Sequence, residues 1–158
     1  MSTPSFTDRS KHVITRDAAA TRAVAAGLAT VARAGDLVCL WGDLGAGKTQ
    51  FAKGFGAGLG VTATIASPSF VLMAEHPGRL PLFHIDLYRL GDAADALAGG
   101  LVDDRQGQGV TLVEWPERLG GTLPEQRLDV IFEGTGDDPR TIAFRAGAGH
   151  ERYLEAIP

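Results

Sequence analysis

The run Gly42-Asp43-Leu44-Gly45-Ala46-Gly47-Lys48-Thr49 fits the spacing G-x-x-x-x-G-K-[ST], and each residue type in it has chemistry to do. Gly42, Gly45 and Gly47 let the backbone turn tightly and approach a phosphate with no Cβ in the way. The loop's exposed N–H groups, from Gly42 through Asp43, Leu44, Gly45, Ala46 and Gly47 into Lys48, Thr49 and Gln50, form an anion cradle at a helix N-terminus. Lys48 reaches the β- and γ-phosphates, and the Thr49 hydroxyl completes the shell of a Mg²⁺ ion. This is the chemistry of nucleoside triphosphate binding.

Two acids follow in chain order. Asp86 ends the apolar run Leu82-Phe83-His84-Ile85, and Glu114 ends Thr111-Leu112-Val113. An acid at a strand end beside a phosphate loop can hold Mg²⁺, directly or through water, or orient the attacking water. Lys48, Asp86 and Glu114 are therefore the candidate catalytic residues, with Thr49, Asp86 and Glu114 the candidate metal holders. Ser67-Pro68-Ser69-Phe70 places two hydroxyls, Ser67 and Ser69, where a γ-phosphate-sensing switch could sit, although Ser-Pro is also a common turn signal. Trp115 reads either as a core or rim aromatic or as a gate over the nucleotide. His84 alternates with Ile85 and reads as a satisfied core histidine rather than a catalyst. The four histidines show no ligand-like spacing, which gives no reason for a zinc site. Gly54, Gly56, Gly58 and Gly60 read as helix packing and termination, because Leu59 occupies the place a second G-x-G-x-x-G would need glycine.

These groups need elements to hold them. Asp36 to Trp41 is a short apolar run of the buried parallel-strand kind, and Phe51 and Phe55 fall on one face of the helix after the loop, which runs to about Leu59. Upstream, His12 to Thr15 reads as a strand. Asp17 caps an alanine-rich helix to about Arg33, with Gly35 just past its end. Val71 to His76 and Leu80 to Asp86 read as strands paired across Pro77-Gly78, and Asp92 to Ala98 as a weak helix ended by Gly99-Gly100. Val110 to Trp115 is another buried strand. Arg127 to Phe132 and Thr141 to Arg145 form a second hairpin, and a short helix begins near Glu151. The first ten residues read as frayed. The result is an α/β, P-loop NTPase-like sandwich whose sheet is parallel at its centre, with antiparallel strands and flanking helices.

With 158 residues, 44% of them apolar and 22% charged, the chain suits one globular domain spanning 1–158. No apolar stretch approaches a membrane span, and no apolar signal core opens the chain. Cys39, the one cysteine, reads as a small buried hydrophobe and allows no disulfide within the chain. The compartment these features predict is cytoplasmic. A net charge of −4 with scattered Lys and Arg argues against broad phosphate-backbone binding, so contact with RNA would be local or through a partner.

Gly42 to Thr49, Ser67 to Phe70, His84-Ile85-Asp86-Leu87-Tyr88-Arg89-Leu90 and Val113-Glu114-Trp115-Pro116-Glu117 occur in that order. Together they resemble the bacterial TsaE (YjeE) family over about residues 12 to 145. The loop is widely shared; the Asp-Leu-Tyr-Arg and Glu-Trp-Pro pieces are far more selective. The resemblance implies a small ATPase of tRNA threonylcarbamoyladenosine biosynthesis, working with the TsaD–TsaB complex that modifies the adenosine next to the anticodon. It implies Mg²⁺ association for Thr49 and Glu114, a requirement for Asp86 in hydrolysis, and nucleotide contact for Trp115 and Arg140. Gln50 stands where the family usually carries a second threonine, and Ser69 where it usually carries threonine, which keeps a hydroxyl. With no acceptor pocket and an acidic balance, the expected behaviour is weak ATPase activity alone, stimulation by TsaD–TsaB, and only indirect contact with tRNA. A small-molecule P-loop kinase is the alternative, although Arg105 and Arg118 are isolated and leave no arginine-rich lid. A guanine-reading Asn-Lys-x-Asp is absent.

Overall fold

The computed structural model describes residues 10–43, 45–65, 73–88, 107–134 and 136–158. Residues 1–9 of the start read as frayed, Leu44, the Ser67/Ser69 loop, Val71, Arg89, Arg105 and the helix read at Asp92 to Ala98 lie outside these residues, whereas Ser10, read as part of that start, opens the first strand.

Seven strands form one sheet in the order β1-β7-β6-β2-β5-β4-β3. They are β1 (Ser10–Thr15), β2 (Leu37–Trp41), β3 (Met73–His76), β4 (Leu82–Asp86), β5 (Val110–Glu114), β6 (Leu128–Glu133) and β7 (Arg140–Ala146). Strands β6, β2, β5 and β4 run parallel at the centre; β7, β1 and β3 add antiparallel pairs outside them. This is the parallel centre with antiparallel pieces that the sequence predicts, and both expected hairpins, β3–β4 and β6–β7, are present.

Strand β2 is apolar throughout because both of its faces are covered. Val38 and Leu40 join a core beneath helices α1 (Ala18–Ala29) and α2 (Lys48–Gly58), while Cys39 points to the opposite face with Ile85, Leu87 and Val113. On the helical side Phe51 and Phe55 stack at 6.2 Å between centroids, and Phe132 meets Phe51 edge-on at 5.8 Å. The short helix α3 (Arg152–Glu155) brings Tyr153 and Leu154 into the same core. On the other side, Leu119 and Leu123 pack against Cys39 and Val113 from the 3-10 turns of Pro116–Thr122 and the residue after them.

Helices α1 and α2 touch at glycines. A Cβ at Gly54 would lie 2.2 Å from the Arg22 carbonyl oxygen, and one at Gly58 would lie 2.5 Å from that of Ala26. Asp17 caps α1 by accepting from the Ala20 amide at 2.8 Å. The helix stops at Ala29 rather than Arg33, because Val31 and Ala32 turn back to Leu28 and Ala29 in 3-10 fashion. Arg79 and Arg152 take up the carbonyls this leaves at Ala29, Ala32 and Val31. Strand β5 also ends one residue early. Trp115 adopts φ +60°, ψ +49°, a left-handed turn that breaks the ladder at Glu114. Among the described residues no helix is long and apolar enough to cross a membrane.

Candidate active site

Strand β2 delivers the glycine loop directly into α2. Gly42 has φ +147°, and a Cβ there would lie 3.1 Å from the Phe132 Cβ and 3.3 Å from the Ala46 Cβ, so the turn requires glycine. Gly47, at φ +108°, is the residue before α2, which puts Lys48 and Thr49 in the first helical turn. The Asp43 carbonyl accepts from the Ala46 amide at 3.1 Å and closes the loop on itself.

Register brings the two acids to this loop. Asp86 and Glu114 are direct partners across β4 and β5, and Glu114 is level with Leu40 on β2, two residues before the loop begins. Both carboxylates are on the helix-covered face, in phase with Leu82 and Leu112. They line, with Lys48, Thr49, Gln50 and Trp115, a cavity of about 360 Å³. Of the predicted site residues, Gly45, Gly47, Lys48, Thr49, Gln50, Asp86, Glu114 and Trp115 are thus brought together.

Lys48 is 5% exposed. Its ammonium donates to the Gly42 carbonyl oxygen at 2.6 Å and sits 3.7 Å from the centroid of the Trp115 ring. Burial lowers its pKa, opposed by the surrounding charges of Glu114, Glu117, Asp86 and Asp43. Burial likewise raises the pKa of Asp86, against the Tyr88 amide that donates to its Oδ1 at 3.0 Å; the Glu114 charge adds to the rise. The Tyr88 ring covers Trp115 at 4.9 Å between centroids. A hydroxyl and two carboxylates paired in register form an all-oxygen donor set of the kind a hard divalent cation takes.

A second cavity, about 350 Å³, shares Gly45, Gly47 and Gln50 with the first and reaches Thr15, Arg16 and Asp17 at the junction of β1 and α1. Arg140 borders it, but its guanidinium is engaged with loop backbone: it donates to Ala46 and Gly45 carbonyls at 3.0 Å each, and to Gly136 and Asp138. Gln50 uses its Oε1 to accept from Arg22 at 2.7 Å, tying α2 to α1.

Three features escape the sequence reading. Thr15 and Arg16 carry no motif. Glu117 stands in the Glu-Trp-Pro-Glu run without an assigned role, yet its charge acts on Lys48. His84 is fully buried and hydrogen bonded through Nε2 to Glu114 Oε2 at 2.6 Å, so the core histidine is tied to the site. Its strand parity with Asp86 was the available signal.

A glycine loop between a central parallel strand and its helix, with acids ending the next two strands on one side, β5 and β4, defines a P-loop NTPase-like protein. The family model described as Threonylcarbamoyl adenosine biosynthesis protein TsaE matches residues 15–142. The chain belongs to the TsaE family, whose members take part in tRNA threonylcarbamoyladenosine biosynthesis. The tRNA threonylcarbamoyladenosine biosynthesis protein TsaE of Bacillus subtilis is 46% identical over 139 residues, covering 87% of each chain. Its counterpart from Streptomyces coelicolor is 43% identical over 136 residues, 82% of this chain and 90% of the relative. The crystal structure of Bacillus subtilis YdiB is similar with a TM-score of 0.77 at 39% identity, over 93% of this chain and 90% of that one.

Proposed function

We propose that this chain binds ATP with Mg²⁺ in the two adjoining cavities and hydrolyses it in support of tRNA threonylcarbamoylation, together with the TsaD and TsaB proteins. The observation that carries the reading is the in-register pairing of Asp86 with Glu114 across the cavity that Lys48 and Thr49 enter. The loop amides cradle the phosphates, and Lys48 exchanges the Gly42 carbonyl for a phosphate oxygen. Thr49 and Glu114 would hold Mg²⁺ directly, with Asp86 reaching it through water, and the ion supplies charge neutralisation at the phosphate oxygens when bound. Asp86, with its Oδ1 fixed by the Tyr88 amide, orients the attacking water. The cavity bordered by Thr15 and Arg16 takes the ribose and base, while Arg140 braces the loop through the Ala46 and Gly45 carbonyls.

The family role together with an acidic chain favours a cytoplasmic protein that meets tRNA through its partners. The test is phosphate release from ATP, alone and against added TsaD–TsaB complex, beside a tRNA titration at physiological salt. The expected result is slow hydrolysis accelerated by the complex, abolished in a folded Lys48→Ala variant, with no tight binding of tRNA alone. Wild-type turnover in Lys48→Ala would sink the nucleotide reading. A complex that neither binds nor stimulates would leave a stand-alone kinase as the better account.

A further inference from the structure

His84 is 0% exposed and Glu114 3%, on the face of the sheet that α1 and α2 cover. Register sets His84 opposite Leu112, which makes Glu114 its diagonal neighbour on β5, within reach of a ring. A carboxylate accepts only, so the 2.6 Å contact is Nε2–H donating to Oε2. The other ring nitrogen, Nδ1, is buried and has no partner among the described residues. An imidazole here thus carries one unsatisfied buried nitrogen, where an apolar side chain like those of Leu82 and Leu112 beside it would carry none. Core packing alone does not favour histidine at this position; the bond to Glu114 is what an apolar residue could not supply.

We propose that His84 is a positioning residue. Its Nε2–H holds Oε2 of Glu114 and thereby fixes the direction in which that carboxylate faces the cavity between Thr49 and Lys48. The inference rests on the reading of Glu114 as a Mg²⁺ holder. Partners that orient a ligating carboxylate in this way typically change metal affinity about 10- to 100-fold when removed.

The test compares ATP affinity in Mg²⁺ and in EDTA for the wild type, His84→Leu, His84→Gln and Glu114→Ala, each checked for folding by thermal melting. In His84→Leu the gain that Mg²⁺ gives to ATP affinity should shrink by about tenfold or more, with EDTA affinity unchanged. His84→Gln, which can place an amide N–H near the Nε2 position, should recover most of that gain. A merely structural role would lower both affinities together. In ¹⁵N-labelled wild-type protein, a protected, downfield Nε2 proton should be visible without any metal and should vanish in Glu114→Ala. An unchanged Mg²⁺ gain in His84→Leu, an equal loss in both buffers, or the absence of that proton overturns the proposal. If His84→Leu does not fold, the wild-type proton and its response to Glu114→Ala decide. Retention of the full Mg²⁺ gain in Glu114→Ala overturns the metal reading itself, whatever the His84 variants do.

Discussion

The ammonium of Lys48 lies beneath the ring of Trp115, 3.7 Å from its centroid, while donating to the carbonyl that begins its own loop, that of Gly42. Trp115 holds this position with φ +60°, the one positive φ outside glycine among the described residues. Pro116 disfavours the right-handed helical region for the residue before it, and a left-handed tryptophan carries strain on the order of 1–3 kcal/mol. The ring is therefore set over the lysine by backbone geometry, and on the proposed reading a bound phosphate would draw the lysine from under it.

Trp115 emission should consequently report nucleotide binding. Trp41 is the other of the two tryptophans, so a Trp41→Phe variant isolates the signal. ATP should change its emission in a saturable way, and Lys48→Ala should both alter the starting emission and blunt the response. Identical spectra with and without saturating ATP in a protein that binds ATP by calorimetry would rule out this coupling.

Two helix glycines should respond to alanine with opposite signs. At Gly27 a Cβ meets nothing within 4 Å, so Gly27→Ala should stabilise by about 0.5–1 kcal/mol through helix propensity. At Gly54 the same atom would sit 2.2 Å from the Arg22 carbonyl oxygen, and overpacking of about 1–3 kcal/mol outweighs propensity. Thermal melting should show a small rise for the first and a fall of several degrees for the second. A Gly54→Ala variant as stable as wild type would mean the α1–α2 contact yields more easily than its geometry indicates.

Cys39 is wholly buried, and burial pushes its thiol far above the ordinary range, with Asp129 adding to the rise and Arg127 opposing it. The folded chain should release no thiolate to a disulfide reagent at pH 8, and one equivalent in urea. The sign for stability follows. Only the unfolded chain ionises this thiol, so its contribution to stability is intact below about pH 8.5 and declines as pH rises beyond. Rapid labelling of native protein would show that the face over Cys39 opens readily.

Local chemistry made much of this legible. The loop declares itself by spacing, β2 by its unbroken apolar run, and Asp86 and Glu114 as polar ends of apolar strands. What stayed hidden depends on pairing between distant segments. The bond from His84 to Glu114 exists because β4 and β5 are parallel neighbours in one register, which no spacing encodes. Where α1 runs out, the carbonyls of Ala29 and Val31 are taken by Arg79 and Arg152, which come from far along the chain. Arg140, assigned to the nucleotide by resemblance, is occupied with the loop's Ala46 and Gly45 carbonyls.

The two acids should separate under one pair of titrations. Glu114 is buried between β2 and β4, its Oε2 held by His84, whereas Asp86 is half-buried at the strand end with its Oδ1 held by the Tyr88 amide. A held, buried carboxylate suits the cation, and one nearer the cavity mouth suits the water. Glu114→Ala should therefore weaken ATP binding in Mg²⁺ by about tenfold or more while leaving binding in EDTA nearly unchanged. Asp86→Asn keeps an oxygen for the Tyr88 amide but loses the negative charge. It should spare affinity and lower the hydrolytic rate by about 10²- to 10⁴-fold, the usual contribution of a positioned base. Calorimetry in the two buffers and single-turnover phosphate release make the comparison. Matching defects in both variants, in binding and in rate alike, would mean that the acids form one shared cation site and that the water is oriented by another group.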